Sequence, residues 1–233
     1  MCFSPEASFA GGIVISAIGI FTILKVHKPS QIVFASIPLF FGIQQIAEGF
    51  IWLTLPYPEY IMFRKISTYW FLMMAEVLWP VMIPVSVLFM EENPKKKRAL
   101  WVFLFIGLSL SLYYGFCLLF YHVTPKVSGF HIKYYTDFPP LLANVAVLVY
   151  LVSTITPLFI SSIKRTHILG ILMLLSCLIT IIFFTQYLTS VWCFFAALIS
   201  GVIYWILSDS KRKFNFDKLN LLKMPINSLK SEK

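Results

Sequence analysis

Charge is what this sequence has least of. Only 12% of its 233 residues are Asp, Glu, Lys or Arg, well under the ~25% of a soluble globular domain. Hydrophobic residues make up 59%, and the mean hydropathy is +0.82. Apolar runs close to the ~20 residues needed to cross a bilayer recur from end to end. Alternation over ~10 residues, the mark of a membrane barrel, is lacking. The expected fold class is therefore all-α, a polytopic membrane helix bundle with the lipid bilayer as its main partner. The net charge of +9 does not point to nucleic acid. The basic residues sit in short loops and the tail, where they set orientation. A basic n-region is missing from the opening MCFSPEASFAGG, so no ordinary signal peptide is expected. Ser4-Pro5-Glu6 reads instead as a helix start, with Ser at the N-cap, Pro at the first helical position and an acid in the first turn.

Seven spans are expected, at roughly 7–25, 31–55, 67–89, 99–121, 139–162, 166–186 and 190–208. They form one transmembrane domain over 1–208, followed by a basic cytoplasmic tail over 209–233. Most boundaries carry loop chemistry: Lys25 to Lys28, Pro56 and Pro58 with Arg64-Lys65, EENPKKKR, and Lys164-Arg165. Residues 122–138 read as the longest loop. The stretch 166–208 has no charge to divide it, and as one helix it would reach ~64 Å, about twice the hydrocarbon thickness. It has to turn, and Thr185-Gln186 with Thr189-Ser190 supply the polar cluster for it. With the N-terminus outside, fifteen Lys/Arg fall on inner segments and four on outer ones, as the positive-inside rule requires. That orientation places the protein in the cell inner membrane with a cytoplasmic C-terminus. The mixed basic and apolar tail is expected to lie on the inner leaflet.

Acids are scarcer still, ten in all. Eight lie in loops or at the ends, and two, Glu48 and Glu76, lie within spans that contain no Lys or Arg. An ionised acid at mid-membrane costs on the order of 3 kcal/mol, so each must be neutral, bind a cation or face water. Glu48 lies ~10 Å and Glu76 ~13 Å below the same expected outer surface, on sequential antiparallel helices that are usually neighbours. Gln45 and Gln44 precede Glu48 by three and four residues and can share its face. Asn144, His122, Gln186 and Trp192 fall at similar depth or at the same end, and Trp52 and Trp79 can wall the site. In AEVLWPVMIP, residues 75–84, Pro80 has no N–H for the carbonyl of Glu76, and Pro84 none for that of Pro80. Freed carbonyls at depth are tolerated where they line a cavity or find a partner. Glu48, Glu76, Gln44, Gln45, Asn144, His122 and Trp79 are the candidate ligand-binding residues.

The strings MCFSPEASF, PLFFGIQQIAEGFIW and EVLWPVMIP resemble an uncharacterised family of bacterial multi-pass membrane proteins whose members begin MCFS-x-x-ASF. The resemblance is clear over the first ninety residues or so and implies a membrane protein of unknown function. It marks Cys2, Ser4, Ser8, Gln44, Gln45, Glu48, Trp79 and Pro80 as motif positions.

Other absences narrow the chemistry. The four histidines show no H-x-x-x-H or H-E-x-x-H spacing, although His122 can join the two acids around a metal. Of the four cysteines, Cys117 and Cys177 read as buried span residues. Cys2 can pack against the bundle, act as a thiolate nucleophile or metal ligand, or pair with Cys193. Ser8, Gly12 and Ser16 form a small-residue stripe for close helix packing. No cofactor and no oligomeric state can be read. The leading reading is binding or transport of a proton, metal ion or small cationic solute at an outward-facing acidic pocket. The alternatives are an intramembrane hydrolase of a lipid or lipid-like amide and an accessory or structural membrane protein without ligand. Span number and orientation are broadly like those of alkaline ceramidases, whose His-rich ligand set is missing here. A retinal protein is a weaker match still, because the last span has no Lys for a Schiff base.

Overall fold

The computed structural model describes residues 4–139 and 143–208. The basic tail and Cys2 lie outside the described residues. The chain is mostly helical: α1 (Pro5–Leu24), α2 (Ile32–Thr54), α3 (Ile61–Leu72), a π turn (Met73–Leu78), α4 (Trp79–Met90), α5 (Pro94–Phe120), α6 (Ala143–Ile160), α7 (Lys164–Phe184), α8 (Leu188–Ser200) and α9 (Val202–Ser208). Among the described residues, five helical stretches are long and apolar enough to cross a membrane: Pro5–Leu24, Pro29–Thr54, Pro58–Met90, Pro94–Phe120 and Lys164–Leu207. Ser4 caps α1 as expected, its Oγ accepting from the Ala7 N–H at 3.3 Å.

The expected small-residue stripe closes α1 onto α2. A Cβ on Gly42 would lie 2.2 Å from Ser16 Oγ and 2.8 Å from the Gly12 carbonyl. The helices run antiparallel, since Gly19 meets Leu39 while Phe9 meets Gly49. Arg64 terminates α2, donating from Nη1 to the carbonyls of Thr54 at 2.9 Å and Leu55 at 3.3 Å.

The prolines act as anticipated, with one correction. The chain around Glu76 forms a π turn rather than a plain α-helix. In that register the Ala75 carbonyl faces Pro80, which has no N–H to give. Tyr150 Oη donates to the Ala75 carbonyl at 2.6 Å instead, and Ser111 Oγ donates to the Val77 carbonyl at 2.6 Å. One turn on, the Pro80 carbonyl meets α5 at Gly107, where a Cβ would come within 1.9 Å. Only glycine admits so close an approach there.

The 44-residue stretch Lys164–Leu207 does turn at the expected polar cluster. A 3-10 turn at Thr185–Tyr187 breaks it, preceded by Phe184 at φ −136° and ending on Tyr187 at φ −121°. The two arms lie side by side, and the Arg165 guanidinium near the start sits 4.6 Å from the Trp205 ring near the end.

Residues 122–138, expected to be a loop, instead contain a β-hairpin. β1 (Val123–Ser128) pairs antiparallel with β2 (His131–Thr136). Gly129, at φ +63°, opens the two-residue turn, the position where a hairpin favours glycine. The hairpin closes one end of the bundle. Ile132 is fully buried, and Tyr134 stacks on Phe71 with ring centroids 5.2 Å apart. His131 rests against Tyr187 at 4.6 Å and Phe184 at 5.3 Å on the α7–α8 turn. Burial pushes its imidazole below the usual histidine value.

Two apolar clusters result. The larger contains Phe41, Trp79, Met173 and Trp192. The smaller, under the hairpin, contains Ala47, Ile51, Phe71, Ala75, Ile132 and Cys193. Along α2, Gln44 and Gln45 fall between members of the two clusters, whereas Glu76 on the π turn is flanked by Ala75 and Val77 of the smaller one.

Glu91, which reads as an ordinary loop acid, is 2% exposed. It ties the α4–α5 connection to the α6–α7 connection. Its carboxylate accepts from the N–H groups of Glu92 (3.0 Å), Asn93 (2.9 Å) and Ser162 (2.6 Å), and from Ser162 Oγ at 2.8 Å. Burial alone would raise its carboxyl, but these bonds outweigh that and hold it below the usual range. A lowered folded-state value stabilises the fold at neutral pH, and the contribution is lost as pH falls through it. Glu91→Gln should lower stability by about 1–3 kcal/mol at neutral pH. In thermal melts its deficit relative to wild type should shrink toward zero in acid. A deficit that does not change with pH would contradict this assignment.

Candidate functional site

The site is built on α2, the π turn and the first turns of α8. On α2, Gln44, Gln45 and Glu48 are 0%, 1% and 0% exposed. Gln44 is fully engaged: its Oε1 accepts from Trp79 Nε1 at 2.8 Å, and its Nε2 donates to Cys193 Sγ at 3.1 Å. Trp79 is held in place by stacking on Phe41, ring centroids 3.8 Å apart. Glu48 accepts through Oε1 from Ser190 Oγ at 2.5 Å. One face of α2 thus docks both α4 and α8 through side-chain hydrogen bonds. Gln45 Nε2 and Ser8 Oγ are buried without a hydrogen-bond partner in this structure.

Glu76 has different surroundings. It is half-buried and lines a cavity of about 70 Å³. Its Oε2 is buried and receives no hydrogen bond from the described residues. Tyr114, Tyr150 and Trp192 supply aromatic walls, Thr189 a hydroxyl, and Cys177 and Cys193 thiols. Among the described residues, no Lys, Arg or His lines it. A second cavity of about 20 Å³, reaching toward Thr154 and Met173, shares Tyr150, Trp192 and Cys193 with the first.

The structure therefore brings both acids against the same turns of α8, but not into one pocket. Glu48 bonds Ser190, and Glu76 faces the cavity walled by Thr189, Trp192 and Cys193. Gln44 and Trp79 join the Glu48 side. His122 is exposed at the end of α5 and lines no part of the cavity. Asn144 lies in the first turn of α6, and its side chain is outside the described residues. Gln186 is exposed and accepts from Lys133 Nζ at 3.3 Å. Cys193 is a free thiol. Among the described residues no three His, Cys, Asp or Glu side chains are placed to share a metal ion.

Tyr114, Tyr150, Ser190 and Cys193 were not among the expected ligand-binding residues. Ser190 had a signal, as part of the polar cluster that marks the last turn. Tyr150 had only its position, a hydroxyl in the middle of an apolar span. The link from Gln44 to Cys193 crosses 149 residues of sequence, and no local pattern carries it.

Residues 1–217 match a family of unknown function, DUF6629, and the chain belongs to it. No curated protein and no solved structure matches the chain. Membership supplies no activity, so the roles of the two acids rest on their surroundings. Ser190→Ala should cost about 1–2 kcal/mol of stability. Glu48→Gln in that background should add less than it does alone, because the two share one hydrogen bond. A double-mutant cycle on thermal stability in detergent measures this coupling. Strict additivity would contradict the Glu48–Ser190 contact.

Proposed function

We propose that this member of the family is a multi-pass inner-membrane protein. It binds, or carries across the bilayer, a proton, metal ion or small cationic solute at the Glu76 cavity. The observation that carries the reading is the Glu76 carboxylate, with one oxygen buried and unpartnered in a cavity that offers it no basic side chain. A carboxylate so placed in low dielectric is stabilised by taking up a proton or another cation.

Seven spans follow if the apolar helix Val145–Ile160 is counted with the longer stretches and Lys164–Leu207 is counted twice across its turn. The excess of Lys and Arg on alternate connections supports an N-terminus outside and a cytoplasmic tail. In that frame the cavity lies toward the outer side, beneath the hairpin. Glu48 serves a different purpose, locking α8 to α2 through Ser190. The hydrolase reading has no metal-ligand group to stand on among the described residues.

Thermal stability in detergent, followed from acid to mildly alkaline pH with divalent metals and small amines, separates the two acids. Wild type should show a pH- or cation-dependent shift that Glu76→Gln removes. Glu48→Gln should melt lower and keep the shift. Retention of the full shift in Glu76→Gln would overturn the proposal.

A further inference from the structure

We infer that the Glu76 cavity is built for a small alkylammonium ion that carries at least one N–H, in preference to a metal ion or a bare proton. The inference rests on the reading of Glu76 as a cation site and names the class of cation.

Four observations point there. First, the cavity has the right size. At about 70 Å³, and with a water needing ~10–15 Å³ of the same kind of space, it holds roughly five non-hydrogen atoms. That suits methylammonium to trimethylammonium and is more than a proton needs. Second, its walls are aromatic on more than one side. Tyr114 comes from α5, Tyr150 from α6 and Trp192 from α8, and the Tyr150 and Trp192 rings meet edge to face with centroids 5.4 Å apart. Aromatic faces attract an ammonium ion by about 0.5–2 kcal/mol each, most strongly when water is excluded.

Third, Glu76 Oε2 is a buried acceptor with no donor, and an ammonium N–H supplies both the missing hydrogen bond and the opposite charge. Fourth, the donor set suits metals poorly. Calcium takes six to eight oxygen ligands and magnesium a near-ideal octahedron, whereas this lining has one carboxylate and otherwise hydroxyl, thiol, aromatic and aliphatic groups. Cys177 and Cys193 line the cavity with Glu76, yet these groups are not placed to share a soft metal ion. The methyl groups of an alkylammonium would instead meet the apolar walls Val147, Leu151 and Leu188.

The test is calorimetric titration of the full-length protein in detergent with methylammonium, trimethylammonium, sodium, calcium, zinc and tert-butanol, a neutral molecule with the same three methyl groups. Trimethylammonium should bind wild type and tert-butanol should not. Glu76→Gln should abolish binding. Trp192→Leu should weaken it several-fold to about thirtyfold, and Trp192→Phe should retain most of it. Tyr114→Leu provides a second removal of one aromatic wall if Trp192→Leu does not fold, and should weaken binding in the same way. Binding of inorganic cations alone, lost in Glu76→Gln and indifferent to Trp192→Leu or Tyr114→Leu, would overturn the ammonium inference and leave Glu76 as a cation site. No difference between wild type and Glu76→Gln with any cation would overturn both.

Discussion

Both ends of the Gln44 amide are used, one by Trp79 and the other by Cys193. That single side chain ties three helices, α2, α4 and α8, deep inside the bundle. A buried amide left unpaired costs about 1–3 kcal/mol, so the helices are held at the rotation and height that satisfy it. Apolar packing alone is less selective, because hydrophobic contacts tolerate sliding and repacking. The Glu48–Ser190 bond, one turn along α2, repeats the constraint on α8. Together they place the first turns of α8 between the two acids and fix the wall that Glu76 faces.

The cavity depends on a second constraint. Pro80 cannot complete the backbone ladder, and the chain answers with a π turn whose stray carbonyls are taken by Tyr150 and Ser111. Tyr150 is therefore both a backbone partner and a cavity wall. Its hydroxyl holds the widened turn while its ring faces Trp192. The extra residue of a π turn leaves the helix locally less regular, and here it carries Glu76. The widened turn and the unpaired carboxylate oxygen coincide.

Much of this was legible in the sequence. The apolar runs, the capping of α1 by Ser4, the stripe of small residues on α1 and the turn at Thr185-Gln186 all follow local rules of period and punctuation. Glu48 and Glu76 stood out because charge is rare in this chain. Three things were not legible. The hairpin over 123–136 was hidden because VTPKVS and HIKYYT are short and polar enough to read as loop, with only Gly129 and the β-branched residues to betray them. The π turn shifts the backbone register by one residue, which no side-chain pattern announces. The division of labour proposed for the two acids depends on which one finds Ser190, a contact 142 residues away. Depth along the helices brought the acids to one level, but level does not determine which face each one presents.

The central claim is that Glu76 meets the ligand while Glu48 holds the bundle. Infrared difference spectroscopy on the detergent-solubilised protein, recorded on adding trimethylammonium, tests it most directly, because carboxyl stretches report the partner of each acid. The account predicts one carboxyl band that changes on addition, present in wild type and in Glu48→Gln and absent in Glu76→Gln. A band that survives Glu76→Gln and vanishes in Glu48→Gln would contradict it.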